Sequence, residues 1–270
     1  MIEAQPRVTA LIVARNNADA LRSTLEALER SSGRDRIEVL VVDEGSEDAT
    51  SDTLGAFPEV ISLKIPKRIG WTRAVNIALR TARGEYILFV SPGVLVRPET
   101  VHGLADRFEA SSDAGAVCPR VDRTWRFPSV EGLAQAWRNG GKLPGGDAAD
   151  TATDYPQGAP ILVRKELLRA MNYLDTRFGD KWSDLEMCSR IRDGNKRIVV
   201  ASDLPVERVP ANDDIDNVDS AHGIATWLGI HYGFAAGFKF RMSAAFALAG
   251  RGHLGDAFNV IAGGKIDGNQ

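Results

Sequence analysis

Asp43 directly follows an apolar run, Ile37 to Val42 (IEVLVV), and opens the acidic loop Asp43-Glu44-Gly45-Ser46-Glu47-Asp48. A carboxylate at the carboxyl end of a strand can accept hydrogen bonds from a ring N–H or from sugar hydroxyls. A second carboxylate, Asp184, opens the run Leu185 to Arg192, where the dipole of a helix N-terminus would stabilise it. Between the two lies Arg83 to Val96, RGEYILFVSPGVLV: a short apolar run that breaks at Ser91-Pro92-Gly93 and resumes. Ligands of parallel sheets sit outside the carboxyl ends of the strands. Chemistry is therefore expected at this tripeptide, which carries one hydroxyl and no carboxylate.

The elements that must position these groups alternate in type. Val8 to Ala14 (VTALIVA) is continuously apolar and β-branched, as in a central parallel strand. Arg15-Asn16-Asn17 leads into a helix from about Asp19, with Asn17 or Asp19 as its cap and Leu21, Leu25 and Leu28 on its inner face. Strands follow at Ile37 to Val42 and Val60 to Ile65. Helices are expected at Thr50 to Phe57 and at Trp71 to about Ala82, the second with Val75, Ala78, Leu79 and Ala82 inward. The strand Tyr86 to Val90 comes next, short and bounded by Gly and Pro. Beyond Pro98 the pattern gives a helix to Ser111, strands at Ala114 to Pro119 and Pro160 to Val163, and a short helix from Lys165 to Met171. The helix Leu185 to Arg192 ends on Gly194 as C′ residue, and Arg197 to Ala201 is the last clear strand. Arg120 to Asp154, which holds Trp125, Trp137 and GGKLPGGDAAD, reads as a long irregular loop beside the pocket. This βαβ alternation predicts an α/β fold with an open, mostly parallel sheet and helices on both faces. Residues 1–210 would form that domain, and 211–270 a C-terminal helical extension packed on it.

Several function classes are disfavoured. The net charge of −3 gives no field suited to nucleic acid. GxGxxG, the P-loop GxxxxGK[ST] and the elbow GxSxG are all missing. Cys118 and Cys188 have no metal spacing and read as buried thiols in a reducing, cytoplasmic setting. The first residues lack the charged start and cleavage site of a secretory signal. Ala221 to Phe238 contains no Asp, Glu, Lys or Arg, so it suits a buried or interfacial helix; with Lys239, Arg241 and Arg251 beyond, it could also lie on an anionic membrane surface.

Four stretches in order give the chain a resemblance to the family 2 glycosyltransferases of GT-A fold. They are VTALIVARNN, VVDEGSEDAT (Val41 to Thr50), IGWTRAVNIALRTARGEYILFV (Ile69 to Val90) and SDLEMCSRIRDG (Ser183 to Gly194). The resemblance implies a nucleotide-diphosphate sugar donor, a glycan or lipid-linked glycan acceptor, and inversion at the anomeric carbon. It places Ala14 and Arg15 along the nucleoside and Asp43 on a uracil, thymine or ribose. Ser46, Arg73, Asn76, Ser91 and Gly93 are further binding positions; Asn76 either faces the pocket or is a tolerated polar residue. It assigns Asp184 the role of general base, with Asp180 in reserve. Trp182 either stacks on a sugar ring or closes its loop.

The resembled pattern has an acidic residue where Gly93 stands, and that residue holds Mg²⁺ or Mn²⁺ against the diphosphate. With the acid lost, no metal ligand is assigned. Three outcomes stay open. A carboxylate from elsewhere, such as Asp122 or Glu85, rescues a metal site; cations among Lys67, Arg68, Arg73 and Arg120 meet the diphosphate; or the protein is an inactive relative that binds a nucleotide, a carbohydrate or a partner. A nucleotidyltransferase is disfavoured because ARNNAD is not a Gly-rich basic loop. The apolar tail could pair two chains, cover the sheet or lie on a membrane.

Overall fold

The structure, a computed structural model, describes residues 5–120, 128–144, 151–212 and 215–268. Its centre is an eight-stranded sheet in the order β3-β2-β1-β4-β8-β6-β9-β7. The strands are β1 (Val8–Ala14), β2 (Ile37–Glu44), β3 (Ile61–Ile65), β4 (Tyr86–Val90), β6 (Ala114–Arg120), β7 (Ala152–Thr153), β8 (Ile161–Arg164) and β9 (Arg197–Pro205). β3, β2, β1 and β4 are mutually parallel, as are β6 and β9, while β8 and β7 run against their neighbours. Two short strands, β5 (Val94–Leu95) and β10 (Glu207–Arg208), make a separate antiparallel ribbon.

Unbroken apolar strands are buried on both faces, and successive side chains feed opposite cores. In β1, Val8, Ala10, Ile12 and Ala14 enter one core and Leu11 the other; β2 and β4 divide in the same way. The first core is closed by α1 (Ala18–Glu29) and α4 (Thr100–Glu109). The second is closed by α3 (Trp71–Thr81), α5 (Val130–Arg138), α6 (Lys165–Ala170), α7 (Ser183–Asp193) and the C-terminal helices α8 (Asn217–His231), α9 (Phe234–Ala249) and α10 (Leu254–Ala262). A short α2 (Thr50–Gly55) follows β2. Helix α8 is tied to α5 and α7 by indole N–H groups: Trp137 Nε1 donates to the Asn217 carbonyl, Trp182 Nε1 to Ser220 Oγ and Trp227 Nε1 to Ser189 Oγ.

Three local expectations are corrected. The stretch 120–154 is not wholly irregular: Ser129 caps α5 by accepting from Gly132 N at 3.0 Å, and Leu133, Ala136 and Trp137 are buried beneath it. Trp125 and Asp122 lie outside the described residues. Gly194 is not left-handed (φ −76°); Asn195, at φ 56°, makes that turn instead. Neither Asn17 nor Asp19 caps α1 with its side chain, because a neighbouring loop supplies the carboxylate. Cys118 and Cys188 are buried and unpaired, as their apolar settings predict.

Candidate functional site at the strand ends

The carboxyl ends of β1, β2 and β4 lie side by side, with Ala14 in register with Asp43 and Ile12 with Val90. Asp43 is 1% exposed, and its carboxylate organises its own loop. Oδ1 accepts from Ser46 N at 3.1 Å and Oδ2 from Ser51 Oγ at 3.2 Å. The β1 and β2 loops are laced together. Asn16 N donates to Ser46 Oγ at 3.1 Å, and Glu47 N returns a bond to Asn16 Oδ1 at 2.7 Å. Asn16 adopts φ 53°, a left-handed conformation that asparagine tolerates.

Asp48 belongs to two helices at once. Oδ2 accepts from Ala18 N at 3.0 Å at the start of α1, and Oδ1 from Thr50 N at 3.0 Å at the start of α2. The next lacing comes from far along the chain. Asn212 N donates to Asn17 Oδ1 at 2.6 Å, and Asn17 Nδ2 donates back to the Asn212 carbonyl at 3.2 Å.

Gly93 sits under that late segment. Its N–H donates to the Ala20 carbonyl and to Thr24 Oγ1, and its carbonyl accepts from Val209 N at 2.9 Å. Its φ is 88°, and a Cβ added here would stand 2.7 Å from the Val209 carbonyl oxygen. Ser91, two residues before it, is exposed.

A second polar cluster surrounds the start of α3. Glu44 accepts from Ile69 N and Gly70 N, and Asp180 Oδ1 accepts from Trp71 N at 2.8 Å. Two carboxylates thus serve one helix N-terminus, where the dipole favours them. Asp180 also pairs with Arg68. Asp219 accepts from Asp180 N at 2.9 Å, Lys181 N at 3.2 Å and Ile266 N at 2.8 Å. Burial, reinforced by the Asp180 charge, pushes Glu44 up to about 7, against the pull of the Ile69 and Gly70 N–H groups. Burial likewise lifts Asp219 to about 6. The end of the chain crosses this cluster: Lys67 Nζ donates to the Gly268 carbonyl and Arg73 to the Asp267 carbonyl.

Asp184 lies in the first turn of α7. Its Oδ2 accepts from the buried Tyr155 hydroxyl at 2.8 Å. Burial raises the Asp184 carboxyl; the Tyr155 bond and the Leu185 N–H hold it back.

The sequence pattern of Glycosyl transferase family 2 matches residues 9–170. The chain belongs to that family. Two curated relatives align with parts of it. The succinoglycan biosynthesis protein ExoO of Rhizobium meliloti is 30% identical over 118 residues, 43% of this chain and 34% of the relative. The uncharacterized glycosyltransferase YfnE of Bacillus subtilis is 31% identical over 98 residues, 35% of this chain and 25% of the relative. The alignments thus span about a third or less of those proteins. Among solved structures, the mannosyltransferase PcManGT of Pyrobaculum calidifontis, in complex with GDP-Man and Mn²⁺, superposes with TM-score 0.60 at 20% identity, covering 96% of this chain and 75% of that one. S. aureus TarS 1–349 gives 0.60 at 17% identity, covering 94% and 81%, and was also solved in complex with UDP. These likenesses establish a GT-A-type fold.

Set against the family pattern, the expected residues separate into groups. Ala14, Arg15, Asp43, Ser46, Ser91 and Gly93 share one edge of the sheet, and the Arg15 Nε is buried without a hydrogen-bond partner. Arg73 is held by the chain end. Asn76 clamps the backbone of Leu174, donating to its carbonyl at 2.8 Å and accepting from its N–H at 3.0 Å. Trp182 is 4% exposed at φ 75°, its indole spent on Ser220, so it closes its loop. Ser183 Oγ accepts from Thr72 Oγ1 at 2.7 Å. Glu85 precedes β4 at the opposite ends of the strands, about 20 Å of extended chain from Ser91, and so brings no carboxylate to the tripeptide. Arg120 ends β6 and is exposed.

Ser91-Pro92-Gly93 therefore does not fit a divalent cation: it offers a hydroxyl and carbonyls where hard cations want carboxylates. Among the described residues no group of three His, Cys, Asp or Glu could hold a metal ion. Sequence reasoning missed Tyr155, Asn16 and the Asn17–Asn212 pair. The Asn16-Asn17 run at a strand end was a usable turn signal; Tyr155 in TATDYPQG carried none.

Proposed function

We propose that the protein is an inverting glycosyltransferase that transfers a sugar from a nucleotide-diphosphate donor to a glycan or lipid-linked glycan. The observation that carries this reading is the laced edge itself: Ala14, Arg15, Asp43 and Ser46 are brought together at adjacent strand ends. The nucleoside lies along Ala14 and the Asp43 loop. Arg15, whose buried Nε has no hydrogen-bond partner, lines it beside them. Asp184 takes the proton of the acceptor hydroxyl as that oxygen bonds to the anomeric carbon. The anomeric carbon–oxygen bond to phosphate breaks in the same step, and nucleoside diphosphate leaves. The raised Asp184 carboxyl suits a base, since a higher pKa gives proton abstraction more driving force.

A second reading, a nucleotide- or carbohydrate-binding relative without transfer, is favoured by one feature: Gly93 is packed against the Val209 carbonyl with no room for a side chain. One experiment separates the two. The full chain is incubated with a panel of UDP, GDP and dTDP sugars and glycan acceptors, while calorimetry follows binding with and without Mn²⁺. Product formation supports transfer; metal-independent binding with no transfer or hydrolysis supports the binding protein.

A further inference from the structure

We propose that the outer face of α9 and α10 docks on an anionic lipid bilayer, so that the protein lies on a membrane surface. This inference does not depend on the transfer reading. α9 carries large apolar side chains on its outer face as well as its inner one. Its inner side chains, Phe240, Ala244, Ala245 and Leu248, are buried. The outer apolar side chains are bare: Phe234 is 82% exposed and Phe246 70%, with Phe238 between them in sequence. α10 repeats the pattern, with Ala257 and Val260 inward and Leu254, Phe258 and Ile261 exposed.

A single exposed apolar side chain is ordinary, whereas a contiguous group marks an interaction site. Part of the group is contiguous. The Phe234 and Phe238 rings stack at 5.9 Å, and both line, with Ile230 and Ile261, an open groove of about 480 Å³ between the C-terminal helices.

Charge selects the occupant. Residues 234–252 carry the exposed Lys239 and Arg251 and no carboxylate, in a chain whose net charge is −3; Arg241 turns inward and donates to the Val260 carbonyl. On α10, Asp256 lies 3.6 Å from His253. A second copy seated on the same face would bring the same exposed cations to it, and like charges across an interface are costly. Anionic headgroups complement these cations, and the aromatic rings enter the headgroup–acyl boundary beneath them. The helices lie on the bilayer and do not cross it. α9 has 16 residues, about 24 Å of helix, and among the described residues no helix is long and apolar enough to span.

The test is co-sedimentation of the full chain with vesicles of phosphatidylcholine alone and of phosphatidylcholine with phosphatidylglycerol. The chain should pellet with the anionic vesicles, less so as salt rises. The double variant Phe238→Ser/Phe246→Ser should lower the pelleted fraction at least tenfold while keeping the parent melting temperature, since both rings are exposed. Lys239→Gln and Arg251→Gln should each weaken partition about fivefold. No pelleting with either vesicle, or pelleting that the Phe variants leave unchanged, overturns the proposal. A dimer that Phe246→Ser dissociates, seen by light scattering without any vesicle binding, overturns it in favour of self-association.

Discussion

The Tyr155 hydroxyl donates to Asp184 Oδ2 across 2.8 Å, joining a fully buried phenol on one segment to the carboxylate that opens α7. If Asp184 is the base, Asp184→Asn lowers turnover by about 10²–10⁴, with donor binding preserved. Tyr155→Phe behaves differently. It removes a bond that holds the Asp184 carboxyl down, so the carboxyl ionises at higher pH. The acid limb of the pH–rate profile should move upward while the high-pH plateau stays close to the parent. Rates measured from pH 5 to 9 check this; an unmoved acid limb would take Asp184 out of the mechanism.

Position 93 makes a paired prediction. Gly93→Asp places a side chain at φ 88° with its Cβ 2.7 Å from the Val209 carbonyl. Left-handed backbone alone costs about 1–2 kcal/mol, and the clash adds to it. The variant should melt well below the parent without gaining Mn²⁺-dependent binding. Ser91→Asp, at an exposed site, should stay within about 0.5 kcal/mol of the parent and should make nucleotide binding more responsive to Mn²⁺. Melting curves and calorimetry on the two variants decide between these outcomes.

Glu44 predicts a pH signature in stability. Its folded value of about 7 lies above the ordinary 4.5 because burial and then Asp180 oppose its charge. The folded state therefore holds a proton that the unfolded state releases, and stability falls as pH rises from about 4.5 to about 7. Asp219, raised to about 6, pulls in the same direction, and His222, lowered to about 4 by burial, opposes both. The difference between Glu44→Gln and the parent isolates one group: the variant's advantage in melting temperature should grow across that window. A flat difference would contradict the assignment.

Asp48→Ala removes the carboxylate shared by the first turns of α1 and α2. Single caps contribute about 0.5–2 kcal/mol, so a loss of about 1–3 kcal/mol in chemical denaturation is expected, more than a one-helix cap would give.

Much of this molecule could be read from residue order. The runs VTALIVA, IEVLVV and YILFV are buried on both faces, and nothing but a central strand satisfies an apolar run so short and so bounded. Part of the motif spelling has a packing cause. Gly84 follows Arg83 because a Cβ there would meet Thr9 N at 2.4 Å, while Arg83 pairs with Glu38, which also takes the Thr9 hydroxyl bond at 2.6 Å. What was not legible came from partners distant in sequence. Nothing local to Asn76 announces Leu174, and nothing local to Arg73 announces Asp267. A polar side chain spent on remote backbone looks, in one dimension, like one free to meet a ligand. Helix α5 was obscured by its surroundings: its apolar face spans barely two turns between stretches rich in Gly and Asp.

The lacing of the strand-end edge has two ranges. Asn16 to Ser46 closes over 30 residues, whereas Asn17 to Asn212 closes over 195 and Lys67 to Gly268 over 201. During synthesis at ~5–20 residues per second, the first clasp is available almost at once, and the second waits roughly ten to forty seconds for its partner to be made. Until then Gly93 is uncovered and the start of α3 lacks the segment that crosses it. A growing chain on the ribosome would thus hold an open edge of sheet through most of its translation, and this is the interval in which chaperones would find it.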